Sequence, residues 1–564
     1  MLSKTCSAFL RGVEAFPVWV ETDISRGMPT FNIVGQADTT IKEARERIRP
    51  ALVNSGLEYP YSRITINMSP AGVRKRGSHF DLPIAVGIMA SSGQIPPGKQ
   101  EEYCFLGELS LDGSLARTDG ILPMVIAMRR CGFQRIILPA ANRQEAMLAA
   151  GVEVYPAEHL SQIAEHLRGG RRLRPAPSDI RAVMAAAVNT SVDAGVNPAV
   201  NTVINAAAGT DAGTPAGAES AGNGGAGEEI EGGKGLITGI RTEAGLKIGS
   251  RLDYADVKGQ ETAKRALMIA AAGGHGLLMM GSPSTGKTML AERLVTIMPE
   301  MTFDEIVETT AVYSVAGLLT EEEPVILQRP FRQPHHKITP AGLLGGGTTP
   351  RPGEITLANK GVLFLDEIGE FDGGLIDALR TPLERKSISL IRRGIPHLFP
   401  ADFMLVAASN PCKCGYYGDP QHSCSCTDRE VERYQKKLSG PIMDRIDMHI
   451  CLQPVNYEDL EGGEAMSSAQ MAERIEAARR IQAERYRGKG IRLNHQLNDR
   501  LIETFCPLDG EKGQMAAQAY ERLRLNPRTL MKVRKVARTI ADLDESEEVK
   551  AEHLSEAMAY RGER

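Results

Sequence analysis

At 564 residues the chain is too long for one hydrophobic core and divides into three or four domains at roughly 150 residues each. Hydrophobic residues make up 42% and charged residues 24%, and the formal net charge of −4 excludes a surface that grips nucleic acid everywhere. No apolar run reaches the ~18 residues of a membrane span, and the start Met1-Leu-Ser-Lys lacks the layout of a secretion signal, so a cytoplasmic protein without membrane attachment is expected.

Residues 1–168 read as a mixed α+β domain. Apolar alternation predicts strands over Phe16–Thr22 and Ser62–Met68, and helical spacing marks Ile41–Asn54 and Leu122–Cys131. Residues 169–250 are rich in Ala, Gly, Asn and Thr and bury too little apolar area to offset the entropy of ordering. They read as a flexible linker, with one short helix possible over Asp179–Val188. From 251 to 455 strands alternate with helices, the texture of an α/β core with a parallel sheet. Residues 456–564 read as a helical, charged domain ending in two periodic segments, Arg528–Leu543 and Ala551–Arg561.

The chemistry concentrates in the α/β part. Gly281-Ser282-Pro283-Ser284-Thr285-Gly286-Lys287-Thr288 fits G-x-x-x-x-G-K-[ST], after an apolar strand Leu277–Met280 and before a helix carrying Leu290, Leu294, Ile297 and Met298. In that context backbone N–H groups close around phosphate oxygens, and the helix N-terminus adds partial positive charge. Lys287 is placed to reach the β- and γ-phosphates of ATP, and the Thr288 hydroxyl to hold Mg²⁺. A second apolar strand, Gly361-Val-Leu-Phe-Leu, ends in Asp366 and Glu367. Asp366 suits the metal and Glu367 the attacking water, the division of labour that ATP hydrolysis requires. A third strand, Phe403–Ala408, delivers Asn410 as a sensor of the γ-phosphate, a position otherwise read as a simple turn former.

These motifs in this order resemble the AAA+ superfamily, and the flanking strings narrow the resemblance. Pro334-His-His-Lys, Leu344-Gly-Gly-Gly-Thr-Thr-Pro-Arg-Pro-Gly-Glu-Ile, Asn410-Pro-Cys-Lys-Cys-Gly-Tyr-Tyr-Gly-Asp, Gly440-Pro-Ile-Met-Asp-Arg-Ile-Asp and Lys535-Val-Ala-Arg-Thr-Ile-Ala-Asp-Leu are similar to the magnesium-chelatase-like ComM/YifB family of bacterial proteins. The similarity spans nearly the whole chain except the linker. It implies a ring-forming, homo-hexameric motor acting on single-stranded or branched DNA, with branch migration during natural transformation as the associated process. By motif, Arg445 resembles the arginine finger that enters a neighbouring subunit's site, and Arg528 the sensor-2 arginine of a helical C-terminal lid; each also fits a surface ion pair. The family loop usually carries glycine where Ser284 stands. The first domain resembles the Lon-protease fold at Gly107-Glu-Leu-Ser-Leu-Asp-Gly and Cys131-Gly-Phe-Gln-Arg-Ile-Ile. The segment aligned with the nucleophile reads His79-Phe-Asp, however, and the lysine-bearing stretch Asp119-Gly-Ile-Leu-Pro-Met-Val has no lysine, so no peptidase is expected.

Three further features carry open alternatives. Cys412, Cys414, Cys424 and Cys426 form C-x-C, nine residues, C-x-C, which suits tetrahedral Zn²⁺, with His422 able to replace one thiolate and unliganded thiols as the other reading. Arg392 and Arg393 sit at the tip of a predicted hairpin, Ser387–Leu398, and fit either DNA phosphates in a ring's pore or a solvated turn. Arg74-Lys75-Arg76 is a basic loop with the same two readings. A chelatase-type protein-remodelling motor and an ATP-binding switch without turnover are the functional rivals.

Overall fold

The computed structural model describes residues 2–176, 252–437, 442–455, 465–523 and 525–561, with the backbone of 241–242 and 245–246. The helix read over Asp179–Val188 and most of the stretch read as a linker lie outside the described residues. Ordered packing of the first domain continues to Ala176, whose N–H donates to the Val154 carbonyl at 2.7 Å.

The N-terminal sheet has seven strands: β1 (Leu2–Arg11), β2 (Glu14–Ser25), β3 (Thr30–Val34), β4 (Arg63–Ser69), β5 (Cys104–Phe105), β6 (Arg135–Pro139) and β7 (Glu153–Ala157). Their order is β3-β4-β2-β1-β5-β6-β7. The β1–β2 and β2–β4 pairs are antiparallel, the others parallel. In β4 buried and half-exposed residues alternate, as a strand with one covered face requires. Helix α1 (Ala44–Asn54) is shorter than the periodicity suggested, because Thr39–Lys42 forms a separate turn capped by the Asp38 carboxylate. Helix α2 (Asp81–Ser91) is buried along its whole length and packs on β1 and β2.

The second sheet contains β8 (Leu277–Gly281), β9 (Phe331–Arg332), β10 (Val362–Leu365), β11 (Met404–Ser409) and β12 (Met448–Leu452). All are parallel, in the order β9-β10-β11-β8-β12. Strands β10 and β11 are buried at every position, the mark of a parallel sheet covered on both faces. Their C-terminal ends meet beside the end of β8, where open α/β sheets bind ligands. The helix after β8 is not continuous. It runs from Lys287 to Glu292, resumes over Leu294–Ile297, and Met298 is extended, as the residue before Pro299 must be.

The C-terminal helices Ser468–Arg485, Pro527–Leu543 and Ala551–Ala559 share one apolar core with the helix Glu261–Gly273 and strand β8. Two charged nodes tie this layer down. Buried Asp542 accepts from Arg485 and Arg538, and Asp447 accepts from His275 at 3.1 Å and Lys532 at 2.8 Å. On the opposite flank the helix Phe303–Ala316 packs against Ile121–Arg130 of the N-terminal domain. There the Ser314 hydroxyl donates to buried Glu145 at 2.5 Å, and the Gly120 N–H donates to the Ser314 carbonyl at 2.9 Å. Among the described residues no helix is long and apolar enough to cross a membrane.

Candidate nucleotide site

The phosphate loop leaves β8 at Gly281, where a Cβ would lie 2.9 Å from the Leu452 carbonyl oxygen, so only glycine fits. Ser284 and Gly286 both have left-handed backbones, with φ of 64° and 85°. Position 284 is where the resemblance expects glycine, and the cost to serine is about 1 kcal/mol of backbone strain. The Thr285 hydroxyl closes the loop onto the Ser282 carbonyl at 2.9 Å. Lys287 is buried and donates to the Gly281 and Ser282 carbonyls at 2.7 and 2.8 Å. Burial lowers its pKa, and Asp366 and Glu367 partly offset that.

Thr288 and Asp366 are 78 residues apart, yet the hydroxyl donates to the carboxylate at 2.9 Å. One hydroxyl and one carboxylate oxygen thus face a common point, a donor pair suited to Mg²⁺. Glu367 follows with φ of 51°, exposed, its N–H bonded to Asp366 at 3.0 Å. The left-handed turn points the second carboxylate away from the strand. Asn410 directly follows β11, whose Ser409 is in register with Met280 of β8, so it stands beside the loop.

Sequence reading passed over the base-side wall. A cavity of about 190 Å³ opens next to Ser284, Thr285 and Gly286, lined by Val257, Met289 and Val455. Gln260, itself left-handed at φ 57°, donates to the Gln453 carbonyl at 2.7 Å and closes one end. This cavity, lined by both polar and apolar groups, adjoins the phosphate loop; the available sequence signal was the Gly259-Gln260 turn opening the next helix.

The two arginines assigned by motif come together, but away from these groups. Arg445 and Arg528 both donate to Glu384 Oε1, at 2.5 and 2.9 Å. Arg528 and Arg445 hold the Glu384 carboxyl below its ordinary pKa.

The four cysteines converge. Cys412, Cys414 and Cys424 sulfurs lie 3.3 to 3.7 Å apart, and all four fall within 4.8 Å of one another. A tetrahedron of thiolates at 2.3 Å from Zn²⁺ has edges of about 3.8 Å, so this donor set fits the ion. His422 is not a substitute ligand: it stacks on Tyr416 with ring centres 4.8 Å apart and pairs with Asp419 at 3.3 Å.

Arg392 closes a hairpin of Ser387–Arg392 and Ile395–Pro400, with left-handed Arg393 and Gly394 at its tip, the conformation two-residue hairpin loops favour. The basic loop at 74–76 is corrected by the structure. Lys75 is fully buried, donating to the Gly35, Met68 and Pro70 carbonyls, so it is a structural staple. Arg76 faces outward and donates to the Thr348 carbonyl at 3.0 Å and the Thr349 hydroxyl at 2.6 Å. The same Gly-rich turn lies under Arg392, and Arg74 and Arg393 are close enough to depress the Arg76 pKa, after burial. In the first domain Ser78 donates to Glu108, and burial takes His79 down to about 4. The structure thus gives Ser78 a carboxylate partner and Lys75 only carbonyls.

Family models agree with this geometry. "Magnesium chelatase, subunit ChlI" matches residues 253–460, "Subunit ChlI of Mg-chelatase" residues 20–142, and "Magnesium chelatase, subunit ChlI C-terminal" residues 465–561. The chain is 38% identical to Competence protein ComM of Haemophilus influenzae, covering 98% of this chain and 95% of that one. It is 36% identical to YifB of Escherichia coli K12 over 98% of this chain and 95% of the relative. The magnesium-chelatase 67 kDa subunit of Heliobacterium mobile is 28% identical over 35% of this chain and 31% of its own. With phosphate loop, paired acids and both flanking domains matched, the chain belongs to the ComM/YifB family of magnesium-chelatase-like AAA+ ATPases.

Proposed function

We propose that this chain is an ATP-driven motor that assembles into a homo-hexameric ring and moves along single-stranded or branched DNA, in branch migration or unwinding. The family implies ATP and Mg²⁺. Thr288 and Asp366 hold the cation, which supplies charge neutralisation at the phosphates. Lys287 exchanges its loop carbonyls for phosphate oxygens. Glu367 orients the attacking water and receives its proton, Asn410 holds the γ-phosphate side, and the Val257 and Met289 slot receives the base. Arg445 and Arg528 leave Glu384 to complete the site of the adjoining subunit. Cys412, Cys414, Cys424 and Cys426 bind Zn²⁺. The N-terminal domain resembles the Lon-protease fold without its dyad and serves assembly or DNA contact.

The observation that carries the DNA part is the gathering of Arg76, Arg392 and Arg393 around the turn at 345–352, contributed by two domains. Clustered guanidiniums track phosphates without reading sequence, as a translocating motor requires. The competence protein among the relatives supports the same reading. The rival, a chelatase-type remodelling ATPase, draws on the magnesium-chelatase family models at 20–142, 253–460 and 465–561 and on a chelatase subunit matched over 35% of the chain.

The test measures ATP turnover with and without single-stranded and branched DNA. Arg392→Ala combined with Arg393→Ala is expected to keep basal turnover and lose most of the DNA stimulation. Turnover indifferent to DNA in the unaltered protein would favour remodelling.

A further inference from the structure

The cysteine loop and the phosphate loop are separate in sequence and touch in space. Residues 412–426 contain no helix or strand, so little besides their own side chains fixes their path. Directly after the ligand Cys414 stands Gly415, with φ of 93°. A Cβ there would lie 2.7 Å from both Cδ and Cγ of Pro283, a backbone-to-ring contact with no room for a side chain. Four residues on, the Asp419 side chain is only 1% exposed and accepts the backbone N–H groups of Gln421 and His422 at 2.8 and 2.9 Å. The neighbouring Ser282 side chain helps hold the Asp419 carboxyl down, to about 2. Two consecutive residues of the phosphate loop, Ser282 and Pro283, are therefore held from outside by one small loop. That loop is closed at both ends by the sulfur cluster. Four thiols at these separations attract one another only weakly and repel when ionised, so a bound cation determines whether the loop keeps its shape.

We propose that the four-cysteine loop is a metal-set clamp on the nucleotide site: Zn²⁺ fixes the loop, and Gly415 and Asp419 in turn hold Pro283 and Ser282 in the phosphate-receiving conformation. This rests on the zinc and nucleotide readings given above. Asp419 is a positioning residue; it acts on phosphates only through Ser282. Zinc loss then weakens nucleotide binding without touching Lys287, Asp366 or Glu367.

The experiment uses the full chain and reads three quantities: zinc per chain by elemental analysis, affinity for a fluorescent ATP analogue with Mg²⁺, and melting temperature. The unaltered protein is expected to carry one zinc and bind the analogue. Cys424→Ser should lose the zinc and bind about tenfold more weakly, the size of one charge-assisted hydrogen bond. Asp419→Ala should keep the zinc and the melting temperature, yet weaken binding by a similar factor. The double variant should fall no further than the weaker single one, since both cut the same connection. Should Cys424→Ser fail to fold, a zinc-selective chelator that spares Mg²⁺, applied to the folded unaltered protein, gives the same reading. A zinc-free protein that still binds nucleotide at full affinity overturns the clamp. So does Asp419→Ala with unchanged affinity. Unaltered protein devoid of zinc instead sinks the zinc reading, and unaltered protein that ignores the analogue sinks the nucleotide reading.

Discussion

Between Gly281 and Thr288, eight consecutive residues and the end of one further strand bring Lys287, the Thr288 hydroxyl and the Asp366 carboxylate into one small region. Arg445 and Arg528 are built differently. They reach their shared partner Glu384 across 61 and 144 residues of chain, and that partner is a carboxylate, not a phosphate. Arg528 and Glu384 are about half exposed, at 56% and 46%. The contrast separates a pocket built from contiguous residues from a pair of arginines gathered from distant parts of the chain. Glu384 keeps the two guanidiniums side by side; on the proposed function it gives way to a phosphate of the adjoining subunit.

The largest effect should come from the arginine pair. Arg445→Ala is expected to lower kcat by at least about 10³-fold while leaving nucleotide affinity near its starting value. Mixing it with Lys287→Ala subunits, which cannot bind nucleotide, should restore part of the turnover, because intact arginines then face intact pockets. No recovery on mixing would mean that Arg445 serves its own chain. Within the pocket, Glu367→Gln should leave binding intact and slow hydrolysis about 10²-fold or more, seen as bound ATP that persists in single-turnover assays. Ordinary turnover there would remove Glu367 from the chemistry. The smallest change is Ser284→Gly, which relieves a left-handed serine and should stabilise the fold by about 1 kcal/mol in thermal unfolding. An unchanged melting point would show that position 284 carries no strain worth relieving.

Legibility followed the same division. The loop, Asp366 and Glu367 could be read because strand, turn and helix are contiguous, and each short segment announces its own backbone. The hairpin tip was readable for a similar reason, since Arg393-Gly394 supplies the turn. Glu384 and Asp419 carry no local signal: each matters through a partner far along the chain. Lys75 misled because neighbouring residues in a loop can point in opposite directions, and a lysine between two arginines looks equally solvated. The helix after the loop was read as continuous because its apolar spacing persists through Arg293, where the guanidinium turns back to the Asp253 carbonyl and the helix breaks.

The seam at Glu145 has a mechanical consequence. Ser314 both donates to that carboxylate and accepts from Gly120, and Gly317, with φ of 71°, lies against the Asp119 carboxylate. With apolar packing around it, the junction resists sliding and bending. The first domain is therefore expected to move together with the α/β core rather than hinge against it. On the proposed function, motion of the α/β core on nucleotide turnover would then be carried undiminished to the surface of the first domain.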